Sequence, residues 1–265
     1  MTNHKDQKPN SRLVGCDTEV AQAIEALITC FERKRKLLVC GNGGSAADAE
    51  HIVGEMMKGF CLPRRLSDTD KAQLASVAGD DADLLGTKLQ YGLAALSLVS
   101  HSALITAAAN DQDGQLIFAQ QIWGLGQGGD ILLAISTSGN SHNVLLAAKT
   151  ARAKNMLVIG LTGATGGKLA GLCDIKIGVP SDSVAQIQEM LYIEKGGDEQ
   201  LKDELNAYNP LIPKGNELVA TLMFEIDDPA RRKGLLMKLG GVEEMCFLEV
   251  GQDKIKADAE TDVDR

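Results

Sequence analysis

The stretch that most limits what this chain can become is Leu37-Leu38-Val39-Cys40-Gly41-Asn42-Gly43-Gly44-Ser45, followed by Ala46 to Lys58. An apolar run of strand length meets a glycine-rich turn, and a helix-forming segment opens directly after it. Such a turn accepts φ > 0 and lets a ligand approach the backbone. The helix start behind it offers N–H groups without intrahelical partners and the positive end of a dipole, a setting that suits phosphate. Further along the same helix, His51 and Glu55 are spaced i and i+4 and leave one face. A phosphate cradle, an imidazole and a carboxylate in one βα unit form the seed of an active site.

The rest of the chain repeats the alternation. Val20, Ile24, Leu27, Ile28 and Phe31 predict an amphipathic helix over Asp17 to Lys36, a packing partner for the sheet or for another subunit. Residues 61–90 read as a turn-rich insertion with one short helix near Lys71 to Val77. Strands are expected at Leu93–Ser100, Asp130–Ser136, Leu157–Thr162 and Asp174–Val179. Helices are expected at Ser102–Ala109, Gln115–Leu125 and from the serine turn to Ala153. Nearly all-apolar strands alternating with helices predict an α/β fold, a parallel sheet with helices on both faces. Ligands of such sheets sit beyond the carboxyl ends of the strands, where the strand order switches.

From Ala185 the pattern changes. A helix over Gln186–Lys195 is interrupted by Gly196-Gly197, and a strand (217–226), a helix (229–239) and a strand (245–250) suggest a small α+β appendage. The expected organisation is therefore a loose polar N-terminus over 1–16, a main domain over 17–190 and a C-terminal α+β segment over 191–265 that reads as a whole small domain or a piece of one. Net charge is −9 over 265 residues, which gives no electrostatic reason to expect a nucleic-acid partner. No apolar run has membrane-spanning length and the first ten residues are polar, so a cytoplasmic protein without membrane contact is expected. The six cysteines form no C-x-x-C pair, and Cys40 and Cys173 read as buried reduced thiols.

A second turn, Ser136-Thr137-Ser138-Gly139-Asn140-Ser141, ends the third strand. Hydroxyls and helix amides aimed at one place, with no Lys or Arg in the turn, suit a sugar phosphate held by neutral hydrogen bonds. The same residues also suit an ordinary strand–helix loop with Ser and Thr as N-caps. The His51–Glu55 pair has two readings as well: a metal site, or the commoner surface or capping interaction.

The motifs CGNGGSAADAEH with Glu55, AISTSGNS, LTGATGGKLA (161–170) and VPSDSVAQIQEM (179–190) together resemble the sugar isomerase (SIS) domain, and more closely the phosphoheptose isomerases. The resemblance runs from about Asp17 to Met190. It implies a five-stranded parallel sheet of flavodoxin-like type and a homo-oligomer, tetramer or dimer, with sites at subunit interfaces. It also implies conversion of sedoheptulose 7-phosphate to a heptose 7-phosphate. Carried over by motif, Ser136, Thr137, Ser138 and Ser141 would bind the phosphate. Asn42, Gly43 and Gly44 would line the sugar, with Asn110 and Asp111 nearby. His51, Glu55 and Gln188 would be zinc ligands, Gln188 would also meet substrate, and Glu55 would move a proton between C1 and C2 through an enediol. The family's closing helix supplies a further histidine two turns beyond Gln188, and this chain has Gly196 there.

The tail from about residue 187 resembles the second half of an uncharacterised bacterial family, and the two resemblances meet at Ile187-Gln188-Glu189-Met190. This reads as a fusion in which a foreign helix replaces the isomerase's closing helix. Three functional expectations follow. The chain is a sugar-phosphate isomerase impaired by the missing histidine, or a non-catalytic sugar-phosphate-binding or interaction protein, or a protein whose tail carries the activity.

Overall fold

The computed structural model describes residues 17–59 and 63–179. The elements expected beyond residue 180, together with Gln188 and Gly196, lie outside the described residues.

Five parallel strands, β1 (Leu37–Cys40), β2 (Ala95–Ser97), β3 (Ile131–Ser136), β4 (Leu157–Gly163) and β5 (Ile175–Val179), stand in the order β2-β1-β3-β4-β5. The order reverses between β1 and β3, so the switch point lies between those two strands. β1 and β3 are buried at every residue, as strands covered on both faces must be. Alternate residues serve opposite layers. Leu37, Val39, Ile131, Leu133 and Ile135 face a core shared with α1 (Asp17–Glu32) and α2 (Gly44–Met57). Leu38, Cys40, Leu132 and Ala134 face one shared with α6 (Ile117–Leu125) and α7 (His142–Ala153).

Three boundaries differ from the sequence reading. α1 stops at Glu32, because Lys34 turns to φ 56° and Arg35 N–H bonds back to the Cys30 carbonyl. The basic run that follows serves as a strand entry. The Lys36 ammonium and backbone N–H both meet the buried Asp130 carboxylate, at 2.7 and 3.1 Å, while Arg35 reaches Gln127 at 3.1 Å. α1 lays Val20, Ile24, Leu27 and Phe31 on the sheet. β2 is shorter than expected: it is an edge strand with Leu96 exposed, and its pairing ends at Ser97. The insertion holds two helices, α3 (Asp68–Ala78) and α4 (Ala82–Lys88), in place of one. Ser67 caps α3 by accepting from Asp70 N–H. α3 buries no residue, so no apolar stripe announced its length. α5 (Ser102–Ala108) follows β2, packs against α6 and is continued by a wide turn over Ala109–Asp113.

Candidate functional site

Because β1 and β3 are parallel neighbours, the glycine turn after β1 and the serine turn after β3 leave the same rim of the sheet, on either side of the switch point. Each leads directly into a long helix, α2 or α7. Neither helix is capped by the side chain at its N-cap: Gly43 has none, and Ser141 makes no such bond. Two helix starts thus aim amides and the positive ends of their dipoles at one rim.

Within the serine turn, Ser136 Oγ donates to Ser141 Oγ at 3.2 Å. Ser138 Oγ accepts the Asn140 N–H at 3.2 Å, which leaves its own proton to give. Thr137 is half-buried. The turn is shaped from behind by the loop after β4. Gly163 N–H donates to the Thr137 carbonyl and Leu169 N–H to that of Gly139, while Lys168 N–H donates to Asn140 Oδ1. Gly139 holds φ 64°, and a Cβ there would lie 1.9 Å from the Gly166 carbonyl oxygen. Only glycine fits that contact, and the LTGATGGKLA motif is thereby accounted for as the buttress of the serine turn.

Two side-chain hydrogen bonds join the glycine turn to the first turn of α7. Asn42 Nδ2 donates to Asn143 Oδ1 and Asn143 Nδ2 donates to Asn42 Oδ1, each at 2.9 Å. Asn143 escaped the sequence reading, since an asparagine two residues into a helix looks like first-turn decoration. The rule placing both turns at the switch point is the one signal that pairs it with Asn42.

His51 and Glu55 lie elsewhere. α2 runs back from the rim, and Glu55 stands about 16 Å along it from Gly44 at 1.5 Å per residue. The Met56 carbonyl accepts the Leu93 N–H, and the next residue's carbonyl, Ala94, accepts the N–H of Leu37, the first residue of β1. Glu55 therefore sits toward the amino ends of the strands, at the opposite rim from the two turns. Within one chain, the structure brings Asn42, Gly43, Gly44, Ser136, Thr137, Ser138 and Ser141 together and leaves Glu55 apart from them. The Glu55 carboxylate, 16% exposed, takes the Lys58 ammonium at 2.6 Å. Buried Arg64, a second residue the sequence did not single out, donates Nη2 to the carbonyls of Glu55 at 3.1 Å, Met56 at 2.8 Å and Lys58. It closes the α2 C-terminus, where a cation is favoured by the dipole and by the unpaired carbonyls. Asn110 and Asp111 are exposed and bond to each other at 2.7 Å, with no hydrogen bond to either turn.

Zinc asks for four donors. Among the described residues no three His, Cys, Asp or Glu side chains gather as a metal site. His51 is exposed and Glu55 is already engaged by Lys58. The described residues do not make a zinc site.

Residues 15–78 and 82–163 match the family model of the SIS domain, and residues 182–265 match that of a protein family of unknown function, DUF3501. Phosphoheptose isomerase of Laribacter hongkongensis is 42% identical over 174 residues, which are 64% of this chain and 76% of its own. That of Thiobacillus denitrificans is 39% identical over 196 residues, 72% of this chain and 86% of its own. Among solved structures, a phosphoheptose isomerase from Francisella tularensis superposes with TM-score 0.59 at 31% identity, covering 82% of this chain and 88% of that one. The one from Neisseria gonorrhoeae gives TM-score 0.56 at 31% identity, covering 80% and 86%.

Proposed function

The chain belongs to the SIS domain family and is similar within it to the phosphoheptose isomerases, and from that premise we propose that it binds a phosphorylated sugar at the switch-point rim and interconverts sedoheptulose 7-phosphate and an aldoheptose 7-phosphate. The observation that carries the reading is the pairing of two helix N-termini at one rim, without side-chain N-caps and with serine hydroxyls between them. Ser136, Thr137, Ser138 and Ser141 hold the phosphate together with amides of α7, and Asn42, Gly43 and Gly44 meet the sugar.

Isomerisation moves a proton between C1 and C2 through an enediol, which calls for a positioned carboxylate. Glu55 is that base. Its separation from its own rim exceeds the span of a seven-carbon sugar phosphate, so the Glu55 that serves one site comes from a second copy of the chain. This supports the homo-oligomer with shared sites, and α2 is the element that carries the base across.

The test is an isomerase assay on sedoheptulose 7-phosphate. Glu55→Gln is expected to lower turnover about 10²- to 10⁴-fold, the usual worth of a general base, while the sugar phosphate still raises the unfolding temperature. A Glu55→Gln protein as active as the native one contradicts the reading. One sequence feature favours a second reading, binding without turnover: Gly196 stands where the resembled family places its acid–base histidine. Sugar-phosphate stabilisation of the native chain, about 2.7 kcal/mol at a hundredfold excess over Kd, with no product formed, decides for that reading.

A further inference from the structure

The amide pair at the switch point has a fixed polarity. Val144 N–H can only donate, so the Asn143 atom 2.9 Å from it is the oxygen. That sets the Asn143 amide, and the two 2.9 Å bonds then set the Asn42 amide. The remaining capacity is unequal. Asn143 Oδ1 accepts from both Asn42 and Val144, so its two lone pairs are used. Asn42, exposed at the rim, keeps one N–H and one carbonyl lone pair, on opposite flanks of its amide plane because the reciprocal pair uses the adjacent ones. The N–H can give to one oxygen of a sugar and the lone pair can accept from a different hydroxyl, so the amide suits a chain that carries several oxygens.

The Asn42 carbonyl accepts the Ser45 N–H at 3.1 Å, which holds its backbone but not its side-chain amide. Asn42 precedes Gly43, at φ 56°, and no residue packs within 4 Å of where a Gly43 Cβ would stand. The side chain is held instead from across the switch point by a residue 101 positions away, on the first turn of α7.

We propose that Asn143 is a positioning residue that locks the Asn42 amide in one orientation, so that its spare N–H and lone pair face the hydroxyl or carbonyl oxygens of a polyol chain whose phosphate occupies the serine turn. This deepens the sugar-phosphate reading and rests on it. Asn143 does not itself contact the ligand. Its effect is to remove the freedom Asn42 would otherwise lose on binding, and it applies to the sugar and not to the phosphate.

The difference between sugar and phosphate supplies the test. Sedoheptulose 7-phosphate and inorganic phosphate are titrated calorimetrically into the native chain, Asn143→Ala, Asn143→Leu, Asn42→Ala and the Asn42→Ala/Asn143→Ala double variant. Leu keeps the size of Asn143 and the helix propensity of that position, so it stands in if the smaller side chain impairs folding. Each Asn143 variant is expected to weaken the sugar phosphate about tenfold, equal to about 1.4 kcal/mol, and inorganic phosphate less than about twofold. The double variant is expected to bind the sugar phosphate no more weakly than Asn42→Ala alone. Equal losses for both probes, additive losses in the double variant, or failure of both Asn143 variants to fold overturn the role of Asn143 and leave the site reading standing. A native chain that binds neither probe overturns the site reading and this inference together.

Discussion

At the scale of single residues, the site is made mostly from groups that are cheap to place at a rim: backbone amides, hydroxyls and one amide side chain. The charged groups that look more chemical, His51, Glu55 and Arg64, stand on or beside α2, away from the rim. Three cysteines show how thoroughly the sheet excludes water. Burial pushes the Cys30 and Cys40 thiols up to about 12, and the Cys173 thiol, with the Asp174 carboxylate nearby, to about 11. Each folded value lies above the ordinary 9.0, so the unfolded chain sheds these protons first. The contribution of the thiols to stability is complete below that ordinary value and is lost as pH rises through it toward 11 or 12. The urea midpoint is therefore expected to fall steadily above about pH 9. Iodoacetamide at neutral pH is expected to modify Cys30 and Cys40 in urea but not in the native protein, as peptide mapping reads directly. Rapid native-state labelling of Cys40 contradicts the described core. Cys40 was legible as a buried thiol from its apolar neighbours, whereas Cys173, read the same way, is only half-buried. Asn143 was not, because its meaning depends on a partner 101 residues away.

At the scale of elements, strands were easiest to read where both faces are buried, as in β1, β3 and β4, since an unbroken apolar run has few other uses. The edge strand β2 and the α3–α4 pair were hardest, because Leu96 and Val77 face outward and leave no periodic stripe. The distance between Glu55 and the glycine turn was readable in principle: the helix of a βα unit returns antiparallel to its strand, so each turn of α2 carries a residue further from the rim. The short spacing of His51 and Glu55 drew attention away from that direction. The far end of α2 depends on Arg64. Replacing it by methionine removes the donor to the part-buried Glu55 and Lys58 carbonyls, while the Met56 carbonyl keeps the Leu93 N–H, and losing such hydrogen bonds costs about 1–3 kcal/mol. Arg64→Met is expected to lower the unfolding free energy by that amount, read in urea titrations, and to reduce turnover by loosening Glu55. Unchanged stability contradicts the bracing role.

At the scale of the whole molecule, a doubly covered sheet with its order reversing between β1 and β3 puts two anion-suited turns side by side, and everything proposed for the rim follows from that topology. No helix among the described residues is long and apolar enough to cross a membrane. The C-terminal match to a family of unknown function begins at residue 182, close to where the two resemblances were expected to meet. The central claim, a sugar phosphate bridging the serine turn of one chain and the Glu55 of another, is tested most directly by a crystal structure of the protein with sedoheptulose 7-phosphate. The phosphorus is expected within hydrogen-bonding reach of the Ser136–Ser141 hydroxyls, and the sugar's C1–C2 end beside a second copy's Glu55. A phosphate bound away from that turn, or a C1–C2 end with no Glu55 near it, contradicts the account.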